Sequence, residues 1–104
     1  MKSLIELRSL LIKGKIELTA HAFKRLVERN ISLQEIREAG ETIEIIEDYP
    51  DDKYFPSCLL LGFSIAGRPL HLHVSKMDGD CVRLITIYEP NPSEWVNNYR
   101  KRKE

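Results

Sequence analysis

The chain has no excess charge of either sign: 16 lysines and arginines face 16 aspartates and glutamates across 104 residues. That balance argues against generic nucleic-acid binding driven by net charge. Only two cysteines occur, Cys58 and Cys81, far apart and outside any C-x-x-C pair. They read as small thiols in a reducing compartment rather than as a disulfide scaffold. No apolar run approaches the roughly 18 residues needed to cross a bilayer, and no secretion signal opens the chain. A cytoplasmic location with no membrane partner is therefore expected. The Gly-rich phosphate loop, G-x-S-x-G, H-E-x-x-H and the acidic pairs of metal nucleases are missing as well. P-loop hydrolysis, serine hydrolysis and two-metal chemistry lack support, and neither a metal nor another cofactor is expected. With no repeat, linker or low-complexity segment, residues 1–104 read as one domain.

What charge there is lies in zones. Residues 1–37 carry eight basic side chains against four acidic ones, whereas residues 38–55 carry seven acids against Lys53 alone. The chain ends on the basic run Arg100-Lys101-Arg102-Lys103. Such zoning suits a protein with one basic face and one acidic edge.

Hydrophobic periodicity gives the elements. Residues 3–12 read as a short helix that Gly14 ends. Thr19 caps a second helix, in which Ala22, Phe23, Leu26 and Val27 form an apolar stripe bordered by a ridge of His21, Arg25 and Arg29. Ser32 and Glu35 make a capping box for a third helix that Gly40 closes. The pattern then changes to alternation. Strands are expected over 42–49, 58–65, 70–74 and 82–88, with turns at 50–53, 66–69 and Asp78-Gly79. Pro90 and Pro92 stop the last strand, and Trp95, Val96 and Tyr99 suggest a terminal helix. The expected fold is α+β: N-terminal helices, an antiparallel meander of about four strands, and a C-terminal helix.

Three places can carry chemistry. The arginines of the ridge, one turn apart, can hold phosphate or carboxylate oxygens, and His21 beside them can move protons. The same ridge can equally be a solvated face paired with Glu28 or with acids of the 44–52 segment. His71 and His73 alternate with Leu70, Leu72 and Val74, so both imidazoles share one sheet face. They can act as acid and base, bind a metal with a cysteine, or simply be structural. The third place is the strand 82–88. If Ile85 and Ile87 face the helices, Thr86 and Tyr88 join the histidines; if Val82 and Leu84 do, Arg83 joins them instead.

The segments T-A-H-A-F-K-R-L-V-E-R-N-I-S, I-E-D-Y-P, G-R-P-L-H-L-H-V and L-I-T-I-Y-E-P-N-P-S-E-W, spanning residues 19–95, together resemble a family of small bacterial and archaeal domains. Its signature is H-x-x-x-R-x-x-x-R-x-I, then R-x-L-H, then T-x-Y. The family looks like a branch of the RelE/MqsR-like toxin superfamily, which includes the BrnT-type toxins. The resemblance implies a RelE-like fold and a type II toxin that cleaves RNA without metal, by attack of the ribose 2′-hydroxyl on the adjacent phosphate. His21, Arg25, Arg29, Arg68, His71 and Tyr88 fall on signature positions. In this chemistry His71, Tyr88 and His21 are the catalytic candidates, and Arg25, Arg29 and Arg68 the phosphate ligands; His73 lies outside the signature. The implied partners are RNA and a cognate antitoxin, in some members one with a zinc finger. The alternative is a non-catalytic RelE-fold module that binds a protein or RNA.

Overall fold

The computed structural model describes residues 1–53 and 55–104. Three helices, α1 (Leu4–Ile12), α2 (Ala20–Arg29) and α3 (Leu33–Gly40), lie on one face of a sheet. The sheet has five strands, β1 (Ile16–Leu18), β2 (Glu44–Tyr49), β3 (Ser57–Phe63), β4 (Pro69–Ser75) and β5 (Val82–Tyr88), in the spatial order β1-β5-β4-β3-β2. A separate two-stranded hairpin, β6 (Trp95–Val96) and β7 (Lys101–Arg102), ends the chain. Among the described residues, no helix is long and apolar enough to cross a membrane.

Local chemistry sets the helix starts. Ser3, Thr19 and Ser32 each accept a backbone N–H of the first turn, and Glu6 and Glu35 return the contact to complete two capping boxes. α2 ends at Asn30, whose left-handed φ of 51° lets its N–H reach the carbonyls of Leu26 and Val27.

Alternation sets the strand faces. Cys58 and Leu60 of β3, Leu70, Leu72 and Val74 of β4, and Val82, Leu84 and Ile87 of β5 form the core with Leu7, Leu11, Ala22, Leu26, Ile36 and Ala39 from the helices. The approach of α3 to β3 is close enough to require glycine: a methyl on Gly62 would sit 2.4 Å from the Ala39 carbonyl oxygen.

Four sequence expectations are corrected. The sheet is mixed and five-stranded rather than a four-stranded antiparallel meander, because Ile16–Leu18 pairs parallel with Val82–Leu84. Three residues of alternation are too few to announce a strand. The C-terminal helix is a hairpin, since Asn97, Asn98 and Tyr99 adopt left-handed φ values of 55°, 54° and 70° that no right-handed helix can contain. On α2 the buried stripe is narrower than expected: Ala22 and Leu26 are covered, whereas Phe23 and Val27 are 59% and 68% exposed. Finally, β5 follows neither register alternative whole. His73 pairs with Thr86 but Val74 with Leu84, so Ile85 is an extra residue in a bulge. The bulge lets Val82, Leu84 and Ile87 all face the helices while Arg83, Thr86 and Tyr88 occupy the other face. Thr19 Oγ1 donates to the Ile85 carbonyl at 2.9 Å, which fastens the start of α2 to the bulge.

Arg68 joins the layers. Its guanidinium donates to the carbonyls of Arg29 (2.9 Å) and Asn30 (3.0 Å), to Glu35 (3.1 Å) and to Glu89 (2.6 Å). Those are the end of α2, the start of α3 and the residue after β5. Arg68→Ala should therefore lower the unfolding free energy by about 2 kcal/mol, and Arg68→Lys should recover little, because a point ammonium cannot span these acceptors. Urea titrations of the three proteins measure this; equal midpoints for wild type and Arg68→Lys would contradict it.

Candidate functional site

The helix-free face of the sheet carries two histidines on one strand, and their surroundings differ sharply. His71 is fully buried. Its Nε2 lies 2.9 Å from the Tyr99 carbonyl and its Nδ1 3.1 Å from the Tyr88 hydroxyl. A carbonyl only accepts, so Nε2 carries the proton and Nδ1 accepts from Tyr88. Trp95 covers the ring edge-on, with centroids 4.3 Å apart. Burial pulls the His71 pKa below its ordinary value and pushes that of Tyr88 up. The expected His71–Tyr88 pair is thus assembled, and neutral, beneath the C-terminal hairpin.

That hairpin is held down by charge. Arg100 pairs with Glu44 through two bonds of 2.6 and 2.8 Å, and Arg102 with Glu47 through two of 2.9 and 3.2 Å. The guanidinium of Arg102 also stands 4.9 Å from the centre of the Trp95 ring. Tyr49 donates its hydroxyl to Glu47, and burial followed by that carboxylate pushes the phenol up to about 12. Burial alone would raise the Glu47 pKa; the Arg102 and Tyr49 hydrogen bonds outweigh it and hold the carboxyl low. The acidic zone and the basic tail of the sequence are partners.

His73 is different. It lines a hollow of about 500 Å³ together with Thr19, Asp52, Phe55, Arg83 and Ile85. Ser57 Oγ donates to Asp52 Oδ2 at 2.6 Å and stands 2.9 Å from His73 Nε2. Having given its only proton to Asp52, the hydroxyl accepts from Nε2–H, which leaves His73 Nδ1 as the basic nitrogen. Ser57 is fully buried and is no nucleophile in this arrangement. Burial keeps the His73 pKa below its ordinary value, with Asp52 pulling the other way. Among the described residues, Arg83 has the exposed Glu17 as its ion-pair partner, at 3.8 Å, a pair weak enough to yield to a phosphate.

The remaining expected site residues lie elsewhere. His21 and Arg29 are exposed, and Arg25 pairs with Glu28 at 3.2 Å. They belong to α2, which packs on β5 from the core side, so the structure does not bring them to His71 and Tyr88. The Arg68 donors are committed to the helix ends. Cys58 faces the helices, its thiol pushed up to about 11 by burial, and Cys81 is exposed. Among the described residues, no three His, Cys, Asp or Glu side chains converge as a metal site. Asp52, Ser57 and Arg83 enter the site without a motif. Their only sequence signal is the alternation that puts Ser57 and His73 on one face, plus the second register alternative for Arg83.

Residues 18–89 match the family described as a domain of unknown function, DUF4258. The chain belongs to that family. The match contains α2 through β5 and both histidines, and it stops before the hairpin that covers His71. No curated protein and no solved structure matches the chain.

Protonation of the buried imidazoles gives a pH signature. An unfolded histidine titrates near its ordinary value of 6.5 while the folded pKa of His71 lies lower. The unfolded chain therefore binds more protons in between, and this stability is present above pH 6.5 and lost as pH falls through the folded value. His71→Gln, which keeps a donor for the Tyr99 carbonyl, should lose less stability than wild type between about pH 7 and about pH 5. Urea unfolding followed by circular dichroism at both pH values tests this; identical losses would uncouple His71 from the effect.

Proposed function

We propose that this DUF4258 domain is a toxin-type, metal-independent endoribonuclease that uses the hollow on the helix-free sheet face. The observation that carries the reading is the placement of His73 and Arg83 on the wall of one hollow. A neutral imidazole with a basic Nδ1 can take the proton of a ribose 2′-hydroxyl, and a guanidinium can hold the equatorial oxygens of the phosphate under attack. The 2′-oxygen bonds to phosphorus, the bond to the 5′-oxygen breaks, and water entering the open hollow protonates the leaving oxygen. Phe55 and Ile85 give the same wall an apolar surface for a base. His71, buried and with both nitrogens engaged, supports β4 rather than meeting substrate. The RelE-like ancestry implied by the signature residues adds an antitoxin as the natural partner and the cytoplasm as the place of action.

A second reading has one observation in its favour. His71, the signature histidine expected to do proton chemistry, is fully buried and bonded to the half-buried Tyr88, so the pair does not present its imidazole in this conformation. A non-catalytic module that binds RNA or a protein would need no exposed acid–base pair.

The purified chain should cleave single-stranded RNA in the presence of a chelator and leave 2′,3′-cyclic phosphate ends. His73→Ala and Arg83→Ala should each slow cleavage about 100-fold or more, and His21→Ala should not. Expression without a neighbour should slow growth, and His73→Ala should relieve it. Salt-sensitive RNA binding with no cleavage would move the conclusion to the second reading.

A further inference from the structure

The C-terminal hairpin joins the rest of the molecule differently from the five strands of the sheet. Its backbone hydrogen bonds are internal: Arg100 N–H to the Val96 carbonyl at 3.1 Å and Lys103 N–H to the Glu94 carbonyl at 2.8 Å. It forms its own two-stranded sheet, and among the described residues none of the five strands pairs with it. What fastens it is side chains: the two arginine–glutamate pairs, the Trp95 ring and the bond from His71 to the Tyr99 carbonyl.

Two further features bear on how firmly it is held. The turn places three consecutive non-glycine residues, Asn97, Asn98 and Tyr99, in the left-handed region. Asparagine tolerates that conformation, but tyrosine does so only at a cost, which the closed contacts must offset. The tether from β5 is Glu89-Pro90-Asn91-Pro92, in which the two prolines have no N–H to give to a ladder. An element with internal backbone bonding, a strained turn, a ladder-free tether and ionic side-chain fasteners can leave the sheet without breaking it.

We propose that residues 94–103 form a strap that opens as a unit while the five-stranded sheet stays folded. Opening uncovers the imidazole–phenol pair His71–Tyr88 and frees the carboxylates of Glu44 and Glu47. The hollow keeps its wall. Arg102 leaves Glu47, Glu47 remains the partner of Tyr49, and the Tyr49 ring stands edge-on to His73 at 5.4 Å. The strap therefore sets how many histidines the sheet face presents: His73 alone when closed, both when open. This opening is independent of the ribonuclease reading and is tested without any activity measurement.

The single tryptophan of the chain sits in the strap and reports its position. In Arg100→Gln/Arg102→Gln, the Trp95 emission should shift to the red and its quenching by acrylamide should rise about threefold or more, with the far-ultraviolet circular dichroism retained. The control Lys101→Gln/Lys103→Gln removes equal charge from exposed positions and should leave Trp95 shielded. In the wild-type chain, the amides of Arg100 and Lys103 should exchange hydrogen at least about tenfold faster than those of Leu60 and Leu72. Three results would overturn the proposal: a shielded Trp95 in the double arginine variant, Trp95 exposure only together with loss of the sheet signal, or strap amides that exchange as slowly as those of β3 and β4.

Discussion

A single guanidinium holds the layers of this protein in register. Arg68, at the turn between β3 and β4, reaches the last carbonyls of α2, the first-turn carboxylate of α3 and Glu89 beyond β5. The end of a helix leaves carbonyls without partners, and a fork of N–H donors is well suited to satisfy them. Glu35 serves twice, closing the capping box with the Ser32 N–H and accepting from Arg68. The Ser32 contact comes first in holding its carboxyl below the ordinary range, and Arg68 adds to it. Because α2 and α3 cover the sheet through β5 and β3, fixing their shared corner fixes which strand residues become core. That releases the other face for a mixed set, His71, His73 and Tyr88 beside the buried Leu59 and Leu61.

On that released face, position along one strand decides chemistry. His71 and His73 are two residues apart and point the same way, yet one is sealed and the other lines a hollow. The sealing comes from a segment remote in sequence, which brings an aromatic lid and two guanidiniums to carboxylates of β2. The hollow comes from the bulge at Ile85, which shifts the register of β5 and places Arg83 on the face that carries His73. A charge-balanced chain thus keeps its cations largely occupied: Arg100 and Arg102 by the acidic strand, Arg68 by the helix ends. Arg83 has a partner weak enough to exchange.

The three helices were legible because their signals are local: the apolar spacing of residues 3–12 that Gly14 ends, Thr19 as a cap, and Ser32 with Glu35 three residues apart. The faces of β3 and β4 were legible because alternation has a fixed period of two. What was not legible depends on distant partners. Ile16–Leu18 is a strand only because Val82–Leu84 lies beside it. Trp95 to Tyr99 has helical spacing, and only the conformations of Asn97, Asn98 and Tyr99 rule the helix out. Arg68 stands in a signature that suggests a phosphate ligand, but its acceptors, Glu35 and Glu89, lie 33 and 21 residues away. The shared face of the histidines could be read; the burial of one could not, because the covering hairpin looked like a helix.

The parallel pairing of β1 with β5 sets an order on the birth of the molecule. The first strand of the chain waits for the last of the five, and with it wait Ala22 and Leu26, which pack beneath β5. Closing so long a loop is slow compared with forming a local turn. During synthesis, the helices and β1 emerge from the ribosome long before their partner, and a chain stopped short of Tyr88 lacks the strand against which β1 and α2 pack. Residues 94–103 emerge later still. Because none of the five strands pairs with residues 94–103 among the described residues, the cover over His71 and Tyr88 is laid on a sheet that needs none of its backbone.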